Sequence, residues 1–431
     1  MVSDKTINPH AITMSFRLFL VCSFVLLGRP QDILTFLQPL RPALVLTLLA
    51  MGAMVFGGRR QELSAALSMP ESKRYMLFYL VMILGIPFAS HRRVAFEGVL
   101  GEYVVNVLFF VLLVSQVNSL HRLKSLLWVL CLSTLMYGVF GGLLQSGRSG
   151  GERFQILSGG FDPNDTAYLL LSLFPLCLYF IRFDEGLLRK LVAVAAICGA
   201  IATILLTGSR GGILALGTIL LILLLTKTGG VKKSHKIIVI VMLTSTWLLI
   251  GDRIDLGRYM TLSDISSDYN VSSAGGRFEL WQAAIDLSFA NPITGVGFGC
   301  YPFAHFFSRE LAGESYLRWQ TTHNSFLQVA AEIGLIGFGI FMLINLLSAF
   351  TFFRLSRIQP LPQAPETSEI SALGGLMLLG FAGLLVSGFF LSQGYSIFST
   401  LYFALAAAMG RLQAGIGSRS SKDAPEGASP A

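Results

Sequence analysis

Between residues 14 and 412, long apolar runs alternate with short polar connections, and this alternation is the strongest constraint on the fold. A helix needs about 20 apolar residues to cross a hydrocarbon layer roughly 30 Å thick, because only a helix or a closed barrel bonds all its own backbone groups there. Only 13% of the residues are charged and 53% are hydrophobic, whereas soluble domains carry about a quarter charged residues. In water, that much apolar surface would have no core to enter, so the bilayer is the solvent. Apolar segments near 14–28, 40–57, 75–90, 99–117, 123–145, 165–182, 188–207, 211–226, 236–251, 324–353, 371–391 and 395–412 predict an all-α integral membrane protein with about 12 transmembrane helices. The shorter ones suit tilted or kinked helices. Pro39, Pro42, Pro87 and Pro175 are expected to kink or end their helices. The first run, Phe16 to Leu27, has the length of a signal peptide. It continues into Gly28-Arg29-Pro30-Gln31-Asp32 without a small-x-small cleavage site, so it is expected to stay as the first helix.

The formal charge is +8. The basic residues lie between apolar runs and not on one face of a soluble unit, which points to membrane topology and away from nucleic acid. With the N-terminus inside, every lysine (Lys5, Lys73, Lys124, Lys190, Lys227, Lys232, Lys233, Lys236 and Lys422) falls in an inward segment. The positive-inside rule then predicts an even helix count with both termini cytoplasmic. The outward segments carry arginine and no lysine. Arginine's planar fork binds phosphate through two parallel bonds and keeps its proton, so the outer face reads as adapted to anions. A general preference for arginine is the alternative, since inward segments use it freely too. Cys22, Cys131, Cys177 and Cys198 sit in apolar runs and only Cys300 in a polar one, which is neither a disulfide framework nor a zinc spacing.

The predicted organisation is a polytopic domain over 1–412, a large outward loop over 252–322 between the ninth and tenth helices, and a polar, disordered cytoplasmic tail over 413–431. The loop opens with Asp252, Asp255, Asp264 and Asp268 among serines. An amphipathic helix follows from Gly275-Gly276-Arg277, with Phe278, Trp281, Ile285 and Phe289 near helical spacing, and Asn291-Pro292 ends it. Such a helix is expected to lie along the membrane interface. Gly295 to Gly299 reads as a turn; no strand precedes it, so it is not a dinucleotide loop.

Two outward junctions can carry chemistry. Thr207-Gly208-Ser209-Arg210-Gly211-Gly212 joins two apolar runs by a tight turn. Converging backbone N–H groups, a helix start and an arginine make a phosphate seat; a tight hairpin with a snorkelling arginine is the alternative. The spacing is not that of a Walker loop. Thr322-His323-Asn324 stands where the polar loop meets the next apolar run. A lone histidine at a helix mouth is more often structural than catalytic. Glu332 lies about 13 Å further along at 1.5 Å per residue, on roughly the opposite face, so a direct relay with His323 is not expected. A carboxylate at that depth needs a partner. No cluster has metal-ligand spacing. Arg92, Arg93, Arg148 and Arg153 are weaker candidates for substrate contacts, and each reads first as a solvated loop charge.

Four segments in order are Phe161-Asp162-Pro163-Asn164-Asp165-Thr166-Ala167, the Thr207–Gly212 turn, Gly276-Arg277-Phe278-Glu279-Leu280-Trp281 with Asn291 to Gly297, and Thr322-His323-Asn324 with Glu332-Ile333-Gly334. Together, across roughly residues 155–345, they resemble the O-antigen ligase and O-antigen polymerase superfamily of bacterial membrane glycosyltransferases. The resemblance implies an architecture like that of the membrane glycosyltransferase C group. It also implies an undecaprenyl-diphosphate-linked saccharide donor, used on the periplasmic face of the inner membrane without metal, cofactor or nucleotide sugar. The acceptor would be a glycan, lipid A-core or a protein hydroxyl. Arg210 and Arg277 would bind the diphosphate and His323 would activate the acceptor hydroxyl, with Ser209, Asn324, Glu332, Asn164 and Asp165 as possible supporting residues. Ligase, polymerase and protein O-oligosaccharyltransferase all fit. A lipid-linked oligosaccharide transporter would predict mid-membrane charges and repeat-like halves, and the sequence has neither.

Overall fold

The computed structural model describes residues 13–145, 162–225, 233–254, 257, 259, 276–313, 319–360 and 365–422. Its regular structure is helical: α1 (Met14–Gly28), α2 (Pro42–Phe56), α3 (Arg60–Ser68), α4 (Pro70–Gly85), α5 (Arg92–Phe96), α6 (Val104–Gln116), α7 (Leu120–Gln145), α8 (Pro163–Phe183), α9 (Leu187–Leu206), α10 (Arg210–Leu225), α11 (Lys233–Ile250), α12 (Arg277–Ala290), α13 (Tyr301–Leu311), α14 (Ser325–Ser356), α15 (Glu366–Gly388) and α16 (Ile397–Lys422). A π-helical turn, Glu97–Tyr103, joins α5 to α6. Each apolar segment of the sequence lies on a helix. Among the described residues seven helices are long and apolar enough to cross a membrane, and Met14–Gly28, Arg210–Leu225 and Val239–Ile250 are shorter apolar helices. The chain is an all-α membrane protein.

The prolines divide as their chemistry requires. Pro42 opens α2, where its missing N–H costs nothing. Pro87 lies in the tight turn Ile86–Phe88 that ends α4, and Pro39 in the 3-10 turn Thr35–Leu40. Pro175 sits inside α8 without ending it. α8 is the central helix, buried along Thr166 to Phe180. α7 and α9 cross at Gly138 and Gly199, where a Cβ on Gly138 would lie 2.7 Å from the Gly199 carbonyl carbon. Small residues let the backbones approach, the usual source of helix association when lipid removes the hydrophobic drive. The Tyr402 hydroxyl donates to the Ser172 carbonyl at 2.6 Å, tying α16 to α8.

Basic residues expected to face the cytoplasm gather together. Arg122 donates to the Gln116 carbonyl at 3.0 Å and Arg411 to the Val117 carbonyl at 3.0 Å. Arg59 pairs with Glu62 at 2.9 Å, and Lys124 with Glu369 at 2.6 Å. All five cysteine thiols are free.

Two features depart from the sequence reading. The loop over 252–322 contains a second helix, α13, besides the expected α12. Residues 413–422, expected as disordered tail, continue α16. Phe161, Arg148, Arg153, Asp255, Asp264, Asp268, Gly275 and residues 423–431 lie outside the described residues.

Candidate active site

The four sequence segments share one structural property: each begins a helix. Asp162 caps α8, accepting from the Asn164 and Asp165 N–H groups at 2.6 and 2.9 Å, while Asp165 accepts from the Asp162 N–H at 3.2 Å. Ser209 caps α10 by accepting from the Gly212 N–H at 3.1 Å. Gly276 precedes α12, whose first residue is Arg277. Asn324 caps α14, accepting from Phe326 and Leu327 at 2.9 and 3.1 Å. These residue types recur because a short side-chain oxygen replaces the missing carbonyl partner of the first turn.

The four starts meet. A Cβ on Gly212 would lie 2.9 Å from the Ala167 Cβ, so α10 begins against the first turn of α8. The Arg277 guanidinium lies 5.9 Å over the Phe390 ring. A Cβ on Gly211, beside Arg210, would lie 3.0 Å from the Phe390 Cβ. Phe390 thus bridges the two arginine segments. Converging helix N-termini bring partial positive charge to one place, and two arginines add full charges.

His323 stands just before α14 with φ 48°, a left-handed backbone that few non-glycine residues adopt. Its side chain is half-buried. Burial and the Arg277 charge push the imidazole pKa below its usual value, and Asp162 opposes them. Both dominant causes favour the neutral imidazole, the form able to take a proton.

Glu332 lies at the junction of α13 and α14. Its Oε1 accepts from the Tyr301 N–H at 3.3 Å, at the start of α13. Two residues on, α14 breaks at Gly334, with φ 74° and ψ 175°. The loop after α12 fills the break: Val296 and Gly297 donate to the Ala331 and Glu332 carbonyls at 2.9 Å each, and Leu335 donates to the Pro292 carbonyl at 2.7 Å. A Cβ on Gly334 would lie 2.6 Å from the Ile293 carbonyl oxygen. The glycines of 295–299 and Gly334 therefore form a backbone joint that seats α12 and α13 on α14. Tyr301 donates to the Leu280 carbonyl at 2.8 Å and Arg309 pairs with Glu279 at 2.7 Å, locking α13 to α12. α12 packs inward through Leu280, Ala284 and Ser288, leaving Phe278, Ile285 and Phe289 exposed.

Sequence reasoning missed the connection between α15 and α16. Within it, Ser392 accepts from the His323 N–H at 2.8 Å. The Gln393 side chain donates to Asp165 at 2.8 Å, and its N–H donates to the Ser325 hydroxyl at 3.0 Å. Phe389 packs edge-on against Trp281 at 5.3 Å. The available signal was a polar Ser-Gln-Gly step between two apolar segments, on the outward side by parity. Of the weaker candidates, Arg92 and Arg93 are exposed, and Arg93 pairs with Glu97 at 2.8 Å. Asn164 donates to Asp162 at 3.1 Å and so belongs to the α8 cap. Beside Phe390 an open apolar groove of about 460 Å³ runs between α10 and α15, lined by Leu214, Thr218, Leu385, Val386, Phe389 and Phe390.

None of the curated proteins matches the chain. Residues 191–342 match the family model described as O-antigen ligase, a span that holds Arg210, Arg277 and His323. Over that span the chain is similar to the O-antigen ligase family.

Proposed function

We propose that the protein transfers a glycan from an undecaprenyl-diphosphate-linked donor to an acceptor hydroxyl on the periplasmic face of the inner membrane. The family match supports the coarser statement, a membrane enzyme of ligase or polymerase type with a lipid-linked glycan and an acceptor as partners. The observation that carries the finer one is a half-buried histidine, biased to its neutral form, beside Arg277 where helix N-termini converge.

In this reading the acceptor hydroxyl oxygen attacks the anomeric carbon, and its proton passes to the neutral imidazole of His323. The bond from that carbon to the phosphate oxygen breaks, and its electron pair leaves with the diphosphate. Attack opposite the leaving group inverts the anomeric centre. Arg210 and Arg277 hold the diphosphate through charge-assisted hydrogen bonds, which strengthen as charge develops. The lipid chain of the donor follows the groove between α10 and α15 into the membrane. Twelve crossings with both termini cytoplasmic accompany this reading, supported by the separate cluster of Arg59, Arg122 and Lys124. The ligase form is favoured by the description of the matching family; a polymerase would use a second lipid-linked chain as acceptor.

The test is reconstitution of the purified protein in liposomes with an undecaprenyl-diphosphate oligosaccharide and a candidate acceptor. Release of undecaprenyl diphosphate in step with acceptor glycosylation is expected. Lengthened lipid-linked chains would identify a polymerase instead, and no carrier release with any acceptor would overturn the proposal. His323→Cys should react with an impermeant thiol reagent applied from the periplasm; labelling from the cytoplasm alone would invert the topology.

A further inference from the structure

The left-handed backbone of His323 needs a cause. Among the described residues only Arg29, Arg41 and His323 combine a side chain with positive φ. Such backbone persists only where surrounding bonds over-determine it. At His323 those bonds come from outside its own segment. Its N–H donates to the Ser392 hydroxyl at 2.8 Å. The same Ser392 oxygen lies 3.0 Å from the Thr322 hydroxyl, which donates to the Asn324 carbonyl at 3.0 Å. The residues before and after His323 are therefore tied into the same network.

Ser392 is itself fixed on both sides. Ser325 donates to the Leu391 carbonyl at 2.7 Å and accepts from the Gln393 N–H at 3.0 Å. Gly394 donates to the Gln328 side chain at 3.2 Å. A Cβ on Gly394 would lie 2.6 Å from Val329, so the chain lies flat against α14 here. Gln393 reaches Asp165 on α8, and Phe390 carries Arg277 and abuts Gly211. One five-residue span, 390–394, thus touches all four helix starts.

We propose that Ser392 is the positioning residue of His323. Its hydroxyl, by accepting the His323 N–H, holds the backbone that aims the imidazole at the acceptor hydroxyl. The inference rests on the reading of His323 as the base. Misplacing a reacting group by about 1 Å can cost about 100-fold in rate, and without the Ser392 oxygen the strained backbone has lost its acceptor.

The experiment measures kcat and donor KM in liposomes for Ser392→Ala, Ser392→Thr and His323→Ala, with thermal unfolding followed in parallel. Ser392→Ala is expected to lower kcat about 10- to 100-fold with donor KM and unfolding midpoint near wild type. Ser392→Thr, which keeps the hydroxyl, should retain most of kcat. A wild-type kcat for Ser392→Ala, or a loss confined to KM, overturns the inference, as does a kcat loss that Ser392→Thr shares in full. Should Ser392→Ala fail to fold, Ser392→Cys, close in size but a weak acceptor, replaces it, and a wild-type kcat there is equally fatal. If His323→Ala stays active, the reading of the base falls. If His323→Ala is dead while Ser392→Ala turns over normally, only the role of Ser392 falls.

Discussion

Replacing Gly334 by alanine tests whether the joint in α14 seats the arginine-bearing helix. At φ 74° and ψ 175°, residue 334 occupies a region that is essentially glycine's alone. Backbone strain of this kind costs about 1–3 kcal/mol. The new methyl would also meet the Ile293 oxygen at 2.6 Å and the Gly295 nitrogen at 2.9 Å, and both are backbone atoms. Relief requires the loop after α12 to withdraw. That sacrifices the bonds from Val296, Gly297 and Leu335, each worth about 1 kcal/mol net. Whichever route the protein takes, roughly 3 kcal/mol or more is lost. α12 then loses its seat and Arg277 its position, whereas His323, held from the other side by Ser392, does not. Gly339 on the same helix is the control, because a Cβ there meets nothing within 4 Å. Thermal unfolding of the purified protein and liposome transfer should both fall clearly for Gly334→Ala and stay near wild type for Gly339→Ala. Equal behaviour of the two variants would refute the joint.

Two further predictions concern the charges. Arg210→Lys and Arg277→Lys should each cost about 10- to 100-fold in transfer, since a point charge does not replace a two-pronged fork worth roughly 1.5–3 kcal/mol; steady-state kinetics in liposomes checks this, and wild-type rates for both would remove the diphosphate seat. Burial and Arg277 lower the His323 pKa from its ordinary 6.5, so the rate should fall with acidification only below that pH. Arg277→Gln removes one lowering charge, so the acid limb of its residual activity should move to higher pH; a pH profile of kcat that shifts down or stays put contradicts the electrostatic account.

The fold was largely legible because its signal is additive: each apolar run reports its own helix. The site was legible where local chemistry marks a helix start, at Asp162, Ser209, Arg277 and Asn324. Long-range partners were not. Nothing near Ser392 or Gln393 in the sequence points to His323 or Asp165, more than 60 and 200 residues away, since only packing brings them together. The glycines of 295–299 read as a plain turn because their partner, Gly334, lies on another element. α13 escaped notice because aromatic and charged residues interrupt its apolar pattern, and its inward face is set by Tyr301, His305 and Arg309. Helical geometry alone set Glu332 apart from His323, but not its partner, the Tyr301 N–H at the start of α13.

The central claim is that His323 takes the acceptor's proton. Single-turnover transfer with His323→Ala, in protein whose helical content and unfolding midpoint match wild type, tests it most directly. The account predicts intact donor binding and a rate lowered by about 10²- to 10⁴-fold, the usual contribution of a general base. A variant that transfers glycan at the wild-type rate would contradict it.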